Sequence, residues 1–151
     1  MYGDLRLQSR WSKGRTQNNV EKPRVLLADD NEAIRTLIVA LLRNEFLVDV
    51  VTNGVEAIEK LKSRNYSVIL LDLLMPVLDG YGVLDFLVAE HPEMLPHVMV
   101  VTASLSPREM DRVHQYQVCH VVSKPFEVEV LQALVRQCAG IRNDPYPAAQ
   151  S

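Results

Sequence analysis

Short apolar segments alternate with helical patterns along the middle of this chain. Five of these segments are brief, rich in β-branched residues and apolar at almost every position: residues 25–28, 47–51, 68–71, 98–101 and 118–122. Apolar runs of this length without alternation are typical of parallel strands buried on both faces of a sheet. Between them, apolar residues recur with the helical period. The two clearest stripes are Ile34, Leu37, Ile38, Leu41 and Leu42, and Val128, Leu131, Leu134, Val135 and Cys138.

Capping patterns mark the starts of two further helices. Asn53 with Glu56 fits a capping box, and Ser106 is followed by Pro107 at the first helical position and by Glu109. Five strands, each followed by a helix, predict an α/β fold in which helices cover both faces of a parallel sheet. In such sheets the ligand site lies outside the carboxyl ends of the strands, and the residues there are therefore the first candidates for function.

Polar side chains stand at four of these predicted strand ends. Asp29 and Asp30 follow the first strand, Asp72 the third and Thr102 the fourth, and Lys124 comes just after the fifth. Each alone has an ordinary explanation as a helix cap, a turn residue or a solvated amine. Together they form an unusual set, because neighbouring carboxylates repel one another unless a cation compensates them.

Mg²⁺ suits this group of oxygens, since it prefers oxygen ligands in near-octahedral geometry and retains several waters. We expect Asp30 and Asp72 to bind it directly and Asp29 to act partly through water. The backbone carbonyl of Leu74 is a candidate for a further ligand. Mn²⁺ is an alternative ion, because it shares the preference for oxygen.

A carboxylate can also accept a phosphoryl group and form an acyl phosphate. The transferred group carries charge on three oxygens, so that catalysis consists largely of positioning and charge stabilisation. Mg²⁺, Lys124 and the hydroxyl of Thr102 are placed to take those oxygens if Asp72 is the acceptor. We find no paired Ser and His, no metal-binding His cluster and no Gly-rich phosphate loop, which argues against a hydrolase triad, a zinc enzyme and a nucleotide kinase.

Charge is unevenly distributed along the chain. The net charge is −3, and residues 1–24 carry six basic and two acidic residues, so that the remainder is acidic. An acidic body does not suit a nucleic-acid-binding surface. We interpret residues 1–24 as a flexible basic tail, 25–140 as one domain and 141–151 as a short tail.

The expected location is the cytoplasm. The chain has neither an apolar run of the roughly 18 residues that a membrane span needs nor the apolar core of a signal peptide. Cys119 and Cys138 lack metal-ligand spacing, and in a reducing compartment we expect two buried free thiols.

The ordered set of residues resembles the receiver domain of two-component response regulators over residues 25–140. The matching elements are Asp29-Asp30-Asn31, Asp72-Leu73-Leu74-Met75-Pro76 followed by Asp79-Gly80, Thr102-Ala103, and Lys124-Pro125-Phe126, in family order and with family-like spacing. The resemblance implies a flavodoxin-like (βα)5 three-layer sandwich with strand order 2-1-3-4-5. It also implies a cis Lys124–Pro125 bond.

The same resemblance implies a function. A sensor histidine kinase or a histidine phosphotransfer protein would phosphorylate Asp72 in a Mg²⁺-dependent reaction. Asp29, Asp30 and Asp72 would hold the ion, and Thr102 and Lys124 would contact the phosphoryl group.

The chain departs from the family pattern at several positions. Val121 stands where the family usually has an aromatic residue that follows the threonine inward, so that the usual aromatic readout is absent. Gln117 replaces a glycine before the fifth strand, which alters the backbone freedom of that loop. Leu74 and Ser104 border the phosphoryl group in the family, and an apolar Leu74 predicts slower attack by water and a longer phosphorylated lifetime.

Two histidines near the fifth strand have an ordinary interpretation. We assign His114 and His120 to the surface or the strand, because no acidic or thiol ligand set accompanies them at metal-site spacing.

Four functions remain open at this point. The first is a stand-alone phosphorylation switch that signals by protein–protein interaction. We expect no enzymatic activity beyond its own phosphorylation and dephosphorylation, and no binding to nucleic acid or membranes. Homodimerisation through the fourth or fifth helix is an option. The second, which Val121 favours somewhat, is a phosphorelay intermediate or phosphate sink. The third is a constitutive interaction module, and the fourth is a metal-dependent phosphohydrolase.

Overall fold

The computed structural model describes residues 21–103 and 105–141. The elements follow one another as β1 (Arg24–Ala28), α1 (Glu32–Leu42), β2 (Leu47–Val51), α2 (Gly54–Ser63), β3 (Val68–Leu71), α3 (Gly80–Glu90), a 3-10 helix (Pro92–His97), β4 (Val98–Thr102), α4 (Pro107–His114), β5 (His120–Ser123) and α5 (Val128–Cys138). Ser104, most of the predicted basic tail and the predicted C-terminal tail from residue 142 lie outside the described residues.

Among the described residues, five parallel strands form one sheet in the order β2-β1-β3-β4-β5. The predicted fold class and the predicted strand order are therefore confirmed. Because all pairs are parallel, the carboxyl ends of the strands meet at one edge of the sheet.

Two layers of helices cover the two faces of this sheet. Alternate residues of β1, β3 and β4 point to opposite faces, so that Leu26 packs with α2, α3 and α4 whereas Leu27 packs with α1 and α5. β1, β3 and β4 are therefore buried on both faces, which explains why their sequences are continuously apolar rather than alternating. The result is the predicted three-layer sandwich.

Of the two predicted capping boxes, the one at α4 forms and the one at α2 is incomplete. At α4, Ser106 accepts the Glu109 amide and the Glu109 carboxylate accepts the Ser106 amide, which completes the predicted capping box. At α2, Asn53 caps the helix, but Glu56 accepts the amide and the hydroxyl of Thr52 instead of the Asn53 amide. The reciprocal bond has shifted by one residue, and the predicted box is incomplete.

Three smaller predictions were wrong. The fifth strand begins at His120 and not at residue 118. Leu37, assigned to the buried stripe of α1, is 41% exposed, because the helix turns only Ile38 and Leu42 fully inward. Cys119 and Cys138 are not free thiols but form a disulfide, with their Cα atoms 6.0 Å apart. The inward face of α5 carries Cys138 to the segment just before β5, a proximity that 19 residues of separation do not reveal.

None of the helices in the described part of the chain combines the length and the apolar character needed to cross a membrane.

Candidate functional site

Three carboxylates meet at the carboxyl edge of the sheet. Asp29 and Asp30 follow β1 and Asp72 follows β3, the neighbouring strand, and one carboxylate oxygen from each lies within 4.8 Å of the others. Asp29 and Asp72 are buried at 2% and 6% exposure, whereas Asp30 is exposed. Two of the acids therefore form the floor of the site, and the third stands at its rim.

Asp72 lies at the centre of this group, and donors engage both of its oxygens. Oδ1 accepts the hydroxyl of Thr102 at 2.8 Å and the amide of Leu74 at 3.1 Å, and Oδ2 accepts the Lys124 ammonium at 3.1 Å. Thr102 is 1% exposed, so its hydroxyl would lose a buried partner if Asp72 were removed. The carboxylate is thereby fixed in one orientation.

Lys124 joins the two buried acids. Its ammonium donates to Asp29 at 2.7 Å as well as to Asp72. The position of Lys124 is set by its amide, which donates to the carbonyl of Thr102 at the end of the neighbouring strand, and the Lys124–Pro125 bond that follows is cis, as the resemblance predicts.

The electrostatics of the site are dominated by this shared amine. Burial raises the pKa of Asp29, as does the neighbouring charge of Asp72, and the hydrogen bonds from Lys124 and the Asn31 amide oppose the shift without cancelling it. Burial alone lowers the pKa of Lys124, but the hydrogen bonds and charges of Asp29 and Asp72 outweigh it and raise that pKa. The ammonium is therefore charged at neutral pH, and it bridges the two buried carboxyl groups.

Asp29 is anchored by contacts that sequence reasoning missed. The Asn31 amide donates to its Oδ1 at 2.9 Å, and the guanidinium of Arg35 donates to its backbone carbonyl at 3.0 Å. Arg35 lies on the first turns of α1 without any motif that marks it. These bonds fix the β1–α1 junction next to the acids.

The loop after β3 folds tightly back on Asp72. Leu74, whose carbonyl is a predicted metal ligand, donates its amide to Asp72 and leaves its side chain 68% exposed at the rim. A Cβ added at Gly80 would lie 2.5 Å from the carbonyl oxygen of Asp72, so that only glycine allows α3 to begin against the acceptor. Asp79 caps the same helix through the Gly82 amide. Val77 takes a φ of 70° in this loop, an uncommon conformation for a β-branched residue.

A second group of side chains, between α3 and α4, was missed as well. The rings of Tyr81 and Tyr116 are 6.4 Å apart, the Arg112 guanidinium lies 3.6 Å from the centroid of Tyr81, and the hydroxyl of Tyr116 donates to Asp85 at 2.6 Å. Tyr81, Tyr116 and Val121 pack against the same core cluster. This tyrosine cluster therefore puts aromatic rings against the same core cluster as Val121, although position 121 itself carries no ring.

The donor set of the acidic group fits a hard divalent cation. Its candidate ligands are carboxylate oxygens from two buried acids and one solvent-facing acid. Mg²⁺ prefers such oxygens and keeps water on its open side.

Comparison with known proteins agrees with the geometry. Residues 25–136 match the family model described as the response regulator receiver domain. Transcription factor prr1 of Schizosaccharomyces pombe is 29% identical over 118 residues, which are 77% of this chain and 22% of that protein. The chain thus spans about a fifth of the length of this curated relative.

Solved structures give the same result. The receiver domain of the sensor histidine kinase PA1611 from Pseudomonas aeruginosa, with a magnesium ion coordinated in its active-site cleft, is 28% identical, with a TM-score of 0.71, and the match covers 79% of this chain and 98% of that one. The Francisella response regulator 1452 receiver domain gives the same identity, coverage and TM-score.

Proposed function

The chain belongs to the response regulator receiver domain family of two-component signalling, and from this premise we propose that it is a phosphorylation switch with Asp72 as the acceptor. The observation that carries the proposal is the arrangement around Asp72. A buried carboxylate at the centre of an acidic cluster has the Thr102 hydroxyl on one oxygen and the Lys124 ammonium on the other.

The phosphoryl donor is a histidine phosphorylated on a sensor kinase or on a phosphotransfer protein. A carboxylate oxygen of Asp72 attacks phosphorus, the P–N bond breaks, and its electron pair stays on the departing imidazole. The product is an acyl phosphate on Asp72.

The residues of this chain prepare that step in three ways. Lys124 and Thr102 already hold Asp72 in one orientation, so little reorganisation is needed when their hydrogen bonds pass to phosphoryl oxygens. Asp29 keeps Lys124 within reach through the 2.7 Å contact. Mg²⁺ held by Asp29, Asp30 and Asp72, with the carbonyl of Leu74, would supply positive charge to the transferring group.

The output proposed for the switch is a change in protein binding. A phosphoryl group adds about two negative charges and competes for the donors that now hold Asp72. Because Thr102 is one of those donors and ends β4, its movement would be felt in the segment that leads to α4.

A phosphorelay intermediate is the second candidate, and Val121 favours it. Without a ring at that position, phosphorylation would have a weaker route to the surface, and the domain would mainly receive and pass on phosphoryl groups. The two functions separate on whether phosphorylation changes the affinity for any partner.

The acceptor is tested by intact mass after incubation with Mg²⁺ and acetyl phosphate. We expect wild type to gain one phosphoryl group and Asp72→Asn to gain none. The amide introduced by this substitution keeps an oxygen that can accept the Thr102 hydroxyl, so the variant should retain its fold. Asp111→Asn, an exposed acid on α4 outside the cluster, is the matched control and should be modified like wild type.

The opposite result would be equally clear. Modification of Asp72→Asn at the wild-type rate would place the acceptor elsewhere. No modification of wild type, with no response to beryllofluoride, would favour a constitutive interaction module instead.

A further inference from the structure

A second cluster of metal-ligating side chains lies at the edge of the sheet opposite the carboxylates. His120 is the first residue of β5, Cys119 precedes it, and Cys138 is the last residue of α5. His120 pairs in register with Met99 near the start of β4, whereas the acidic cluster follows the carboxyl ends of β1 and β3. The two clusters therefore have no residue in common and can be tested separately.

The donor atoms of this second cluster are already gathered. Both sulfur atoms and one imidazole nitrogen of His120 lie within 4.8 Å of one another. Cys138 is 2% exposed, while Cys119 and His120 are partly exposed. The cluster is thus closed on the side of α5 and open to solvent on the other.

Backbone contacts keep the two cysteines close independently of the bond between their sulfurs. The Cys119 amide donates to the carbonyl of Val98 at 2.8 Å, which ties it to β4. The carbonyl of Cys138 lies 2.7 Å from Nδ1 of His97, and because a carbonyl can only accept, that nitrogen carries the proton. Leu131, Val135 and Cys138 bury the inner face of α5 in the core.

We propose that the reduced form of this cluster binds Zn²⁺ through Cys119, His120 and Cys138. Two thiolates and an imidazole are the soft and intermediate ligands that zinc prefers, and three protein ligands leave a fourth tetrahedral position for water on the exposed side. A disulfide needs no third side chain, whereas a zinc site with only two cysteines needs a further ligand, and the imidazole of His120 stands within reach to supply it.

The disulfide and the zinc site are two alternative states of the same residues. A dithiol reductant supplies two electrons and two protons, becomes a disulfide itself and leaves two thiols on this chain. Zn²⁺ then displaces the two thiol protons, and the two thiolates neutralise the charge of the ion. Either state links the start of β5 to the end of α5, and the two exclude each other.

The test is a titration of the reduced protein with Co²⁺, a spectroscopic substitute for zinc, followed by displacement with Zn²⁺. The disulfide is first reduced with a phosphine, which is removed without air. Excess Mg²⁺ is present throughout to occupy the acidic cluster, whose carboxylates give no thiolate-to-cobalt charge-transfer absorption. We expect one Co²⁺ per chain with that absorption, its loss on addition of Zn²⁺, and no such absorption from the oxidised protein.

Two histidine variants decide whether His120 is a ligand. His120→Gln should weaken binding by at least about tenfold, the lower end of what even outer-shell groups contribute. His114→Gln changes an exposed histidine at the end of α4, outside the cluster, and should bind like wild type. Circular dichroism of each variant checks that the fold is retained.

Alkylation gives a second readout that does not depend on colour. In reduced wild type, Zn²⁺ should slow the modification of both thiols by iodoacetamide, measured by intact mass, and in His120→Gln this protection should be much weaker. Absence of thiolate-to-cobalt absorption in reduced wild type would overturn the proposal. So would a His120→Gln variant that binds and is protected as well as wild type.

Discussion

Mg²⁺ should stabilise this domain against heat, and the gain should depend on Asp30. Three carboxyl groups lie together, and the Lys124 ammonium contacts two of them, Asp29 and Asp72. A dication bound among them would relieve their mutual repulsion. Asp30 is the exposed member of the group, and Asp30→Asn therefore removes a proposed ligand without opening the core.

The magnitude follows from the geometry and from mass action. Two unit charges 4.8 Å apart, the upper limit of separation in the cluster, interact by roughly 3.5 kcal/mol at an effective dielectric constant of 20. Loss of the Asp30 charge weakens the attraction for Mg²⁺, and a water molecule can take the vacated ligand position, which recovers part of the loss. We therefore expect a net loss of about tenfold in affinity, which is about 1.4 kcal/mol.

Ligand linkage converts that loss into a melting temperature. With Mg²⁺ at about a hundred times its Kd, wild type gains about 2.7 kcal/mol, and a tenfold weaker variant gains about 1.4 kcal/mol at the same concentration. For a chain of this size each kcal/mol shifts Tm by about 2–4 °C. Wild type should gain about 5–10 °C and Asp30→Asn about half of that.

The assay is thermal unfolding by circular dichroism in Mg²⁺ and in EDTA, with ionic strength matched by NaCl. Asp111→Asn removes an exposed acid on α4 and should keep the full shift, which controls for general charge effects. Equal shifts for wild type and Asp30→Asn across the titration would refute the assignment of Asp30 as a ligand. If Asp111→Asn lost as much of the Mg²⁺-induced Tm shift as Asp30→Asn, the shift would reflect nonspecific screening of surface charge by Mg²⁺.

Three further predictions concern pH, backbone strain and dephosphorylation. Burial raises the pKa of Asp49, but the Tyr66 hydrogen bond and nearby basic residues outweigh burial and lower that pKa. The ionised Asp49 carboxylate therefore stabilises the fold at pH values above its unfolded pKa near 3.8. Asp49→Asn should cost about 1–2 kcal/mol at pH 7, and urea titrations should show the difference fading as pH falls through the folded pKa. Gln117 has a φ of 61°, a conformation that glycine adopts more easily, so Gln117→Gly should raise the free energy of unfolding by about 0.5–1 kcal/mol. Gly140 has a φ of 78° with open space around an added carbon, so Gly140→Ala should lower the free energy of unfolding by a similar amount, measured by thermal melts. Leu74→Asn should shorten the phosphorylated lifetime in a dephosphorylation assay, and a wild-type half-life of seconds would contradict the shielding role of Leu74.

The sheet could be predicted because the burial of each strand can be recognised from the residues of that strand alone. A parallel strand covered on both faces must be apolar at nearly every position, and such runs occur at β1, β3 and β4. The start of β5 was misplaced for the same reason: Val118 and Cys119 are apolar because they pack against the core, but regular pairing with β4 begins only at His120. Apolar residues indicate burial, and in this chain partly buried residues continue before the first paired residue of β5.

The site could be predicted as a set of residues but not as a network. Parallel strands bring their carboxyl ends together, so Asp72, Thr102 and Lys124 had to become neighbours once the strand order was known. The sequence does not tell which oxygen of Asp72 each donor takes, nor that Arg35 holds the carbonyl of Asp29. These contacts depend on side-chain directions that no spacing encodes.

The tyrosine cluster illustrates a limit of reasoning by position. Val121 was interpreted as the loss of an aromatic group, which holds for that position alone. Tyr116 reaches the same core cluster from just after the end of α4 and contacts Tyr81 and Asp85, so aromatic surface is present on this face although it comes from another residue. Tyr116 is therefore the residue to substitute when the contribution of an aromatic group on this face is tested, because position 121 offers none.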